Sequence, residues 1–135
     1  GFDVIKTTKD TFTGSEFIDF SEVSSFDEAL RILRYFDENP IVVLGGDYDN
    51  IPQTFREQLI TSAATLVHIR PGAQAQNLSL NKFIDIYQVD NVSEAIQTVY
   101  GVTEQRCEIL FLAGIEKKPK EQIKLSQQFF KEVIA

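Results

Sequence analysis

The chain has 135 residues, 43% of them hydrophobic and 11% aromatic, which suffices for one domain with a substantial core and excludes a disordered composition. Twenty acidic residues against 13 basic ones give a formal charge of −7, spread along the chain, which disfavours a partner with a phosphate backbone, so no nucleic acid is expected. No apolar run approaches the ~20 residues that span a bilayer, no signal-peptide pattern opens the sequence, and a single cysteine, Cys107, rules out an internal disulfide or a cysteine-based metal site. A cytoplasmic protein with no membrane partner is therefore expected. The sequence opens at Gly1-Phe2 and contains no methionine, so a piece cut from a longer protein is expected as well.

In chain order, Phe2 to Thr8 alternates as a strand, Asp10 to Ser15 supplies turn residues around Gly14, and Glu16 to Phe20 reads as a second strand, close enough to pair with the first as a hairpin. Ser25, with Glu28 three residues on, makes a capping-box pattern. Phe26, Ala29, Leu30, Leu33 and Phe36 then recur at helical spacing up to Asn39-Pro40. Ile41 to Leu44 is an uninterrupted apolar run, as a strand covered on both faces requires, and it leads into Gly45-Gly46-Asp47-Tyr48-Asp49-Asn50. Pro52 suits the first turn of a helix with Phe55, Leu59 and Ile60 as its buried stripe. Ala64 to Ile69 reads as a strand, Pro71-Gly72 as a break, Ala73 to Leu80 as a short helix, and Phe83 to Tyr87 as another strand. Asn91 and Glu94 cap a helix with the face Val92, Ala95, Ile96 and Val99, and Gly101 suits its end. Glu108 to Leu112 is the last strand, and Pro119 starts an amphipathic helix carrying Ile123, Phe130, Val133 and Ile134.

Strands alternating with helices predict an α/β domain with a mostly parallel sheet of about six strands and an N-terminal hairpin. Ligands of such sheets sit beyond the carboxyl ends of the strands, so the loops after Phe20, Leu44, Ile69, Val89 and Leu112 form the candidate rim. The chemistry along that rim is sparse. The Gly45-Gly46 loop has neither the dinucleotide glycine pattern nor the lysine and hydroxyl of a P-loop. Asp47 and Asp49 offer two carboxylates to a cation or to solvent. His68 is the only histidine, which excludes multi-histidine metal sites, and no Gly-x-Ser-x-Gly elbow is present. Cys107 opens an apolar run and is expected to be a partly buried structural thiol.

Three segments resemble the C-terminal domain of the Mur ligases, in particular the branch that adds D-glutamate to UDP-N-acetylmuramoyl-L-alanine. Phe17-Ile18-Asp19-Phe20-Ser21-Glu22-Val23-Ser24-Ser25 resembles that family's Asn-Asp-Ser-Lys-x-Thr-Asn segment. Ile41 to Leu44 with Gly45-Gly46-Asp47 resembles its apolar strand and Gly-Gly motif, and Arg70-Pro71-Gly72-Ala73-Gln74 a Gly-Arg-x-Gly-Ala-Gln-type strand exit. The closing Phe129-Phe130-Lys131-Glu132-Val133 is similar to the way these domains end.

The resemblance spans nearly the whole chain and implies a Rossmann-like three-layer fold in the C-terminal domain of an ATP-dependent peptidoglycan-precursor ligase. ATP and Mg2+ would act in the parent enzyme, with no cofactor expected on the domain alone. The partners implied are the parent's N-terminal and central domains, the UDP-MurNAc peptide and the incoming amino acid. Ser21, Ser24 and Ser25 would contact substrate, and Gly45, Gly46, Asp47 and Asp49 would border the nucleotide. No residue of this chain is implied as catalytic or as a metal ligand. Placing Ser21 on the family serine puts Glu22 where the family has lysine and Phe20 where it has aspartate. Asp49 likewise replaces a common lysine, and Leu112-Ala113-Gly114 a Ser-Pro-Ala-type segment. Two lysine-to-carboxylate exchanges reverse the local charge, so the alternatives of a divergent ligase and a binding or scaffold domain of the same fold both stand, beside an unrelated flavodoxin-like regulator.

Overall fold

A computed structural model describes residues 6–11, 13–20, 22–36, 39–45, 51–72, 76–77, 85–103, 106–112, 115 and 117–133. Its elements are β1 (Lys6–Lys9), β2 (Glu16–Asp19), α1 (Phe26–Leu33), β3 (Ile41–Gly45), α2 (Gln53–Thr61), β4 (Thr65–Ile69), β5 (Gln76–Asn77), β6 (Ile86–Val89), α3 (Val92–Val102), β7 (Glu108–Leu112) and α4 (Pro119–Glu132). They build one sheet in the order β1-β2-β7-β3-β4-β6-β5. The inner strands β2, β7, β3, β4 and β6 are parallel, and β1 and β5 add antiparallel edges. The fold is thus α/β and Rossmann-like, with the expected N-terminal hairpin.

Side-chain alternation along the parallel strands divides the core in two. Ile18, Val42, Leu44, Leu66, Leu110 and Leu112 pack with Ala29, Ile32 and Leu33 of α1 and Phe55 and Leu59 of α2. Phe17, Val43, Val67, Ile109 and Phe111 pack with Ala95, Ile96 and Val99 of α3 and Phe129 of α4. The sheet therefore lies between a layer of α1 and α2 and a layer of α3 and α4. The chain moves outward from β2 to β3 and β4 through the first layer and returns from β6 to β7 through the second. Reversing direction while switching faces is what crossovers of one hand require. Phe111 and Phe129 stack at 4.2 Å between centroids and tie the last strand to the last helix.

The segment expected as a helix over Ala73 to Leu80 is instead an edge strand where it is described: Gln76 pairs with Gln88 and Asn77 with Tyr87. Asn and Ser are poor helix formers and the segment has no sustained apolar stripe, so the open edge of β6 captures it. The sheet thereby gains a seventh strand. The strand expected from Phe83 pairs as Ile86–Val89. Helix α1 stops at Leu33, so Phe36 packs against the core from beyond its end, and Gly101 lies within α3, whose C-cap is Thr103. Two apolar residues assigned to buried stripes face outward: Ile60 at 36% and Ile123 at 58% exposure. On α2 and α4 the core positions are filled by Phe55 and Leu59, and by Gln122 and Phe129.

Among the described residues, three other than glycine adopt left-handed backbone conformations, Asn39 (φ 52), Ala63 (φ 51) and Arg106 (φ 61). Each sits two residues before a parallel strand, where the chain turns into the sheet. At Ala63 the turn closes α2 with paired bonds: the Ala63 N–H donates to the Ile60 carbonyl at 3.0 Å and the Ala64 N–H to the Leu59 carbonyl at 2.9 Å. This is the bonding of a Schellman cap with alanine where glycine is usual. At the same edge Glu16 of β2 lies directly across from Glu108 of β7. Desolvation, and then the Glu16 charge, hold the Glu108 carboxyl above the ordinary glutamate value.

Ala63→Gly is expected to stabilise the protein by roughly 0.5–1 kcal/mol in urea denaturation, because relief of the left-handed penalty exceeds glycine's added chain entropy. Glu108→Gln is expected to stabilise at neutral pH. Because the folded state raises this pKa, native Glu108 costs stability above the raised value and costs nothing below the ordinary value of 4.5, where both states are protonated. Paired denaturation curves of wild type and variant should therefore converge as the pH is lowered through that window.

Candidate functional site

The carboxyl edge of the sheet carries one topological feature that singles out a place. Neighbouring strands β3 and β7 feed opposite helix layers, β3 to α2 and β7 to α4, and β2 on the far side of β7 feeds α1. A crevice forms where adjacent strands diverge in this way. Gly45, buried and paired with Ile69 of β4, is the last residue of β3 at this point. Ser21, Gly46, Asp47 and Asp49 lie outside the described residues.

Ser24 and Ser25, on the loop from β2 to α1, are both engaged with Glu28. The Ser25 hydroxyl accepts from the Glu28 N–H at 3.2 Å and donates to Glu28 Oε1 at 3.2 Å. Ser24, fully on the surface, donates to the same Oε1 at 3.4 Å. The capping pattern legible in the sequence is thus formed, with Ser25 as the N-cap of α1. Glu22, which replaces the family lysine, is exposed on the same loop. His68 is buried near the carboxyl end of β4, opposite Leu44 and Gln88. Cys107 is at the other end of the sheet: half-buried, it precedes β7, and its N–H donates to Ser15 Oγ at 3.0 Å. It borders a 290 Å³ cleft at the amino edge with Asn39, Ala63, Thr65 and Asp85, away from the crevice.

Two polar residues of the rim escaped the sequence reading. Asp19, the last residue of β2, is 1% exposed and accepts a hydrogen bond from the hydroxyl of Ser126 on α4. A buried carboxylate needs such partners. Its signal was present: Asp19 alternates with Phe17 and so points into the α4 layer. Asp90, after β6, accepts from the Gly72 N–H at 2.5 Å and so ties the β4 exit to the β6 exit. Pro71 followed by Gly72 at φ 84 fits the type II turn, whose third position favours glycine. The Asp90 N–H donates to Glu94 Oε2 at 2.8 Å, while Asn91 caps α3 by accepting from the Glu94 N–H at 2.9 Å. The rim is therefore braced by backbone-directed carboxylates.

No protein-family model matches the sequence, and no curated protein is similar to it at a significant level. Among the described residues, no group of three or more His, Cys, Asp or Glu side chains could hold a metal ion, and no helix is long and apolar enough to cross a membrane. What the described rim offers is a strand end without a side chain at Gly45, an exposed serine hydroxyl at Ser24 between β2 and α1, and a braced turn at Arg70 to Gly72 after the neighbouring β4.

The two serines should separate in experiment. Ser25→Ala is expected to cost about 1 kcal/mol of stability through loss of the cap. Ser24→Ala is expected to change stability by less than ~0.5 kcal/mol, as surface substitutions do. Urea midpoints of both variants check this.

Proposed function

We propose that this chain is the closing domain of a cytoplasmic ATP-dependent ligase that adds an amino acid, D-glutamate in the first instance, to a UDP-MurNAc peptide. The observation that supports the reading is that β2, β7 and β3 lie in that order in the sheet, with β3 and β7 feeding opposite helix layers beside Gly45. The segments that follow β2 and β3 resemble the family's substrate-facing motifs, and this edge is where α/β sheets bind ligands.

ATP and Mg2+ belong to the central domain of the parent in this reading. The contribution of the chain's own residues is positional. By the resemblance, Ser21, Ser24 and Ser25 would contact substrate, and Gly45, Gly46, Asp47 and Asp49 would border the nucleotide side. Excluding water from a reactive acyl phosphate would be the gain from closure.

The occupation of Ser25 by helix capping, together with Glu22 and Asp49 at lysine positions, favours a second reading: a binding domain of the same fold that has kept the scaffold and lost anion-clamping contacts. Phosphate release separates the two. The 135-residue chain alone, given ATP, Mg2+, UDP-MurNAc-L-alanine and D-glutamate, is expected to release no phosphate. The full-length gene product is expected to release it only when both the sugar peptide and an amino acid are present. Phosphate release by the full-length protein that ignores the amino acid, or none at all, would overturn the ligase reading and leave the binding domain.

A further inference from the structure

The outer face of α4 is chemically unlike the rest of the molecule. Lys117 to Glu132 holds five lysines against two glutamates, so this segment carries +3 and the remainder of the chain −10. Lys120, Lys124 and Lys131 are exposed and lie four and then seven residues apart, which places them on one helical face over roughly 16 Å. Lys120 and Lys124 are like charges one turn apart, an arrangement that weakens a helix by a few tenths of a kcal/mol. Among the described residues, no carboxylate pairs with any of the three. Beside the lysines, Ile123 is 58% exposed, and a groove of 270 Å³ is bordered by Lys117, Glu121, Lys124 and Gln128 with half-buried Leu125 among its lining residues.

We propose that this face is a docking surface for an acidic peptide segment of a partner protein, its carboxylates on the lysine stripe and an apolar side chain in the groove at Leu125. Charge complementarity selects the acidic class, since the stripe is the part of this molecule that attracts anions while the rest repels them. The groove selects a peptide over a polyphosphate. A nucleic acid or an anionic membrane would bring its charge against a body of −10, and Ile123 alone is too little apolar surface to anchor a helix in lipid.

The test is a titration of the isotopically labelled chain, followed by amide chemical shifts, with a short glutamate-rich peptide bearing a pair of leucines one helical turn apart. Shifts confined to Lys117–Lys131 are expected. Lys120→Glu/Lys124→Glu/Lys131→Glu should weaken binding by about tenfold or more, and serine in place of the leucines should also weaken it by about tenfold. The milder Lys→Gln triple variant, its fold verified by its own spectrum, serves the same purpose should the reversal disturb α4. Absence of shifts, shifts scattered over the surface, or indifference to either change would overturn the proposal. So would tighter binding of an oligothymidylate or of phosphatidylserine vesicles, or concentration-dependent shifts of the same amides without peptide, which would assign the face to nucleic acid, lipid or a second copy.

Discussion

The position of β7 is the constraint on which the rest of the architecture depends. The last strand of the sequence lies between β2 and β3, pairing with both. Ile109, Leu110, Phe111 and Leu112 are all fully buried and supply both helix layers in alternation. Removing a large aromatic from such a place typically costs 3–5 kcal/mol, and Phe111 also bridges to α4 through Phe129. No neighbouring strand could substitute, because β2 and β3 touch through β7 and not directly. The divergence of strand exits that defines the crevice is a consequence of the same insertion.

How much of this was legible in the sequence follows from which signals are local. The runs at Ile41 to Leu44 and Glu108 to Leu112 announced buried parallel strands because burial on both faces leaves no room for polar alternation. The capping residues Ser25 and Asn91 announced helix starts through chemistry confined to four residues. Helix ends were less legible because the left-handed residue that closes α2 is Ala63 instead of glycine, while Gly101 lies inside α3. Residues 76–77 misled for the opposite reason: a two-residue strand has no periodicity, and only the edge of β6 makes it one. Ile60 and Ile123 were placed inward by hydropathy alone, whereas outward apolar residues are ordinary on folded proteins.

The candidate site was legible in location more than in chemistry. Its rim was read from topology, and β3 runs one residue past the expected Leu44, to Gly45. The residues that brace it were not predicted, because Asp90 reaches Gly72 across 18 positions and Asp19 meets Ser126 across 107. Ser25 illustrates why a motif match underdetermines a role. One hydroxyl that both accepts from and donates to Glu28 is already employed in holding α1, whatever else it touches. A fold of this kind hosts many activities, so the residues that approach ligand carry the functional argument and the scaffold does not.

The strand order also governs how the molecule can be made. Ser15 and Cys107, which meet at the amino edge, are 92 residues apart in the sequence. The hairpin of β1 and β2 reaches the main sheet only through β7, so during synthesis it waits with an open edge until nearly the whole chain has emerged. Contacts of such long range slow folding and prolong the exposure of unpaired strands. Lys9, exposed on β1, places charge on the outer strand of that waiting hairpin, a usual protection against pairing with the wrong chain. On the inner edge Glu16 and Asp19 bracket Phe17-Ile18, so those two apolar residues are the part of the hairpin that waits for β7 to cover it.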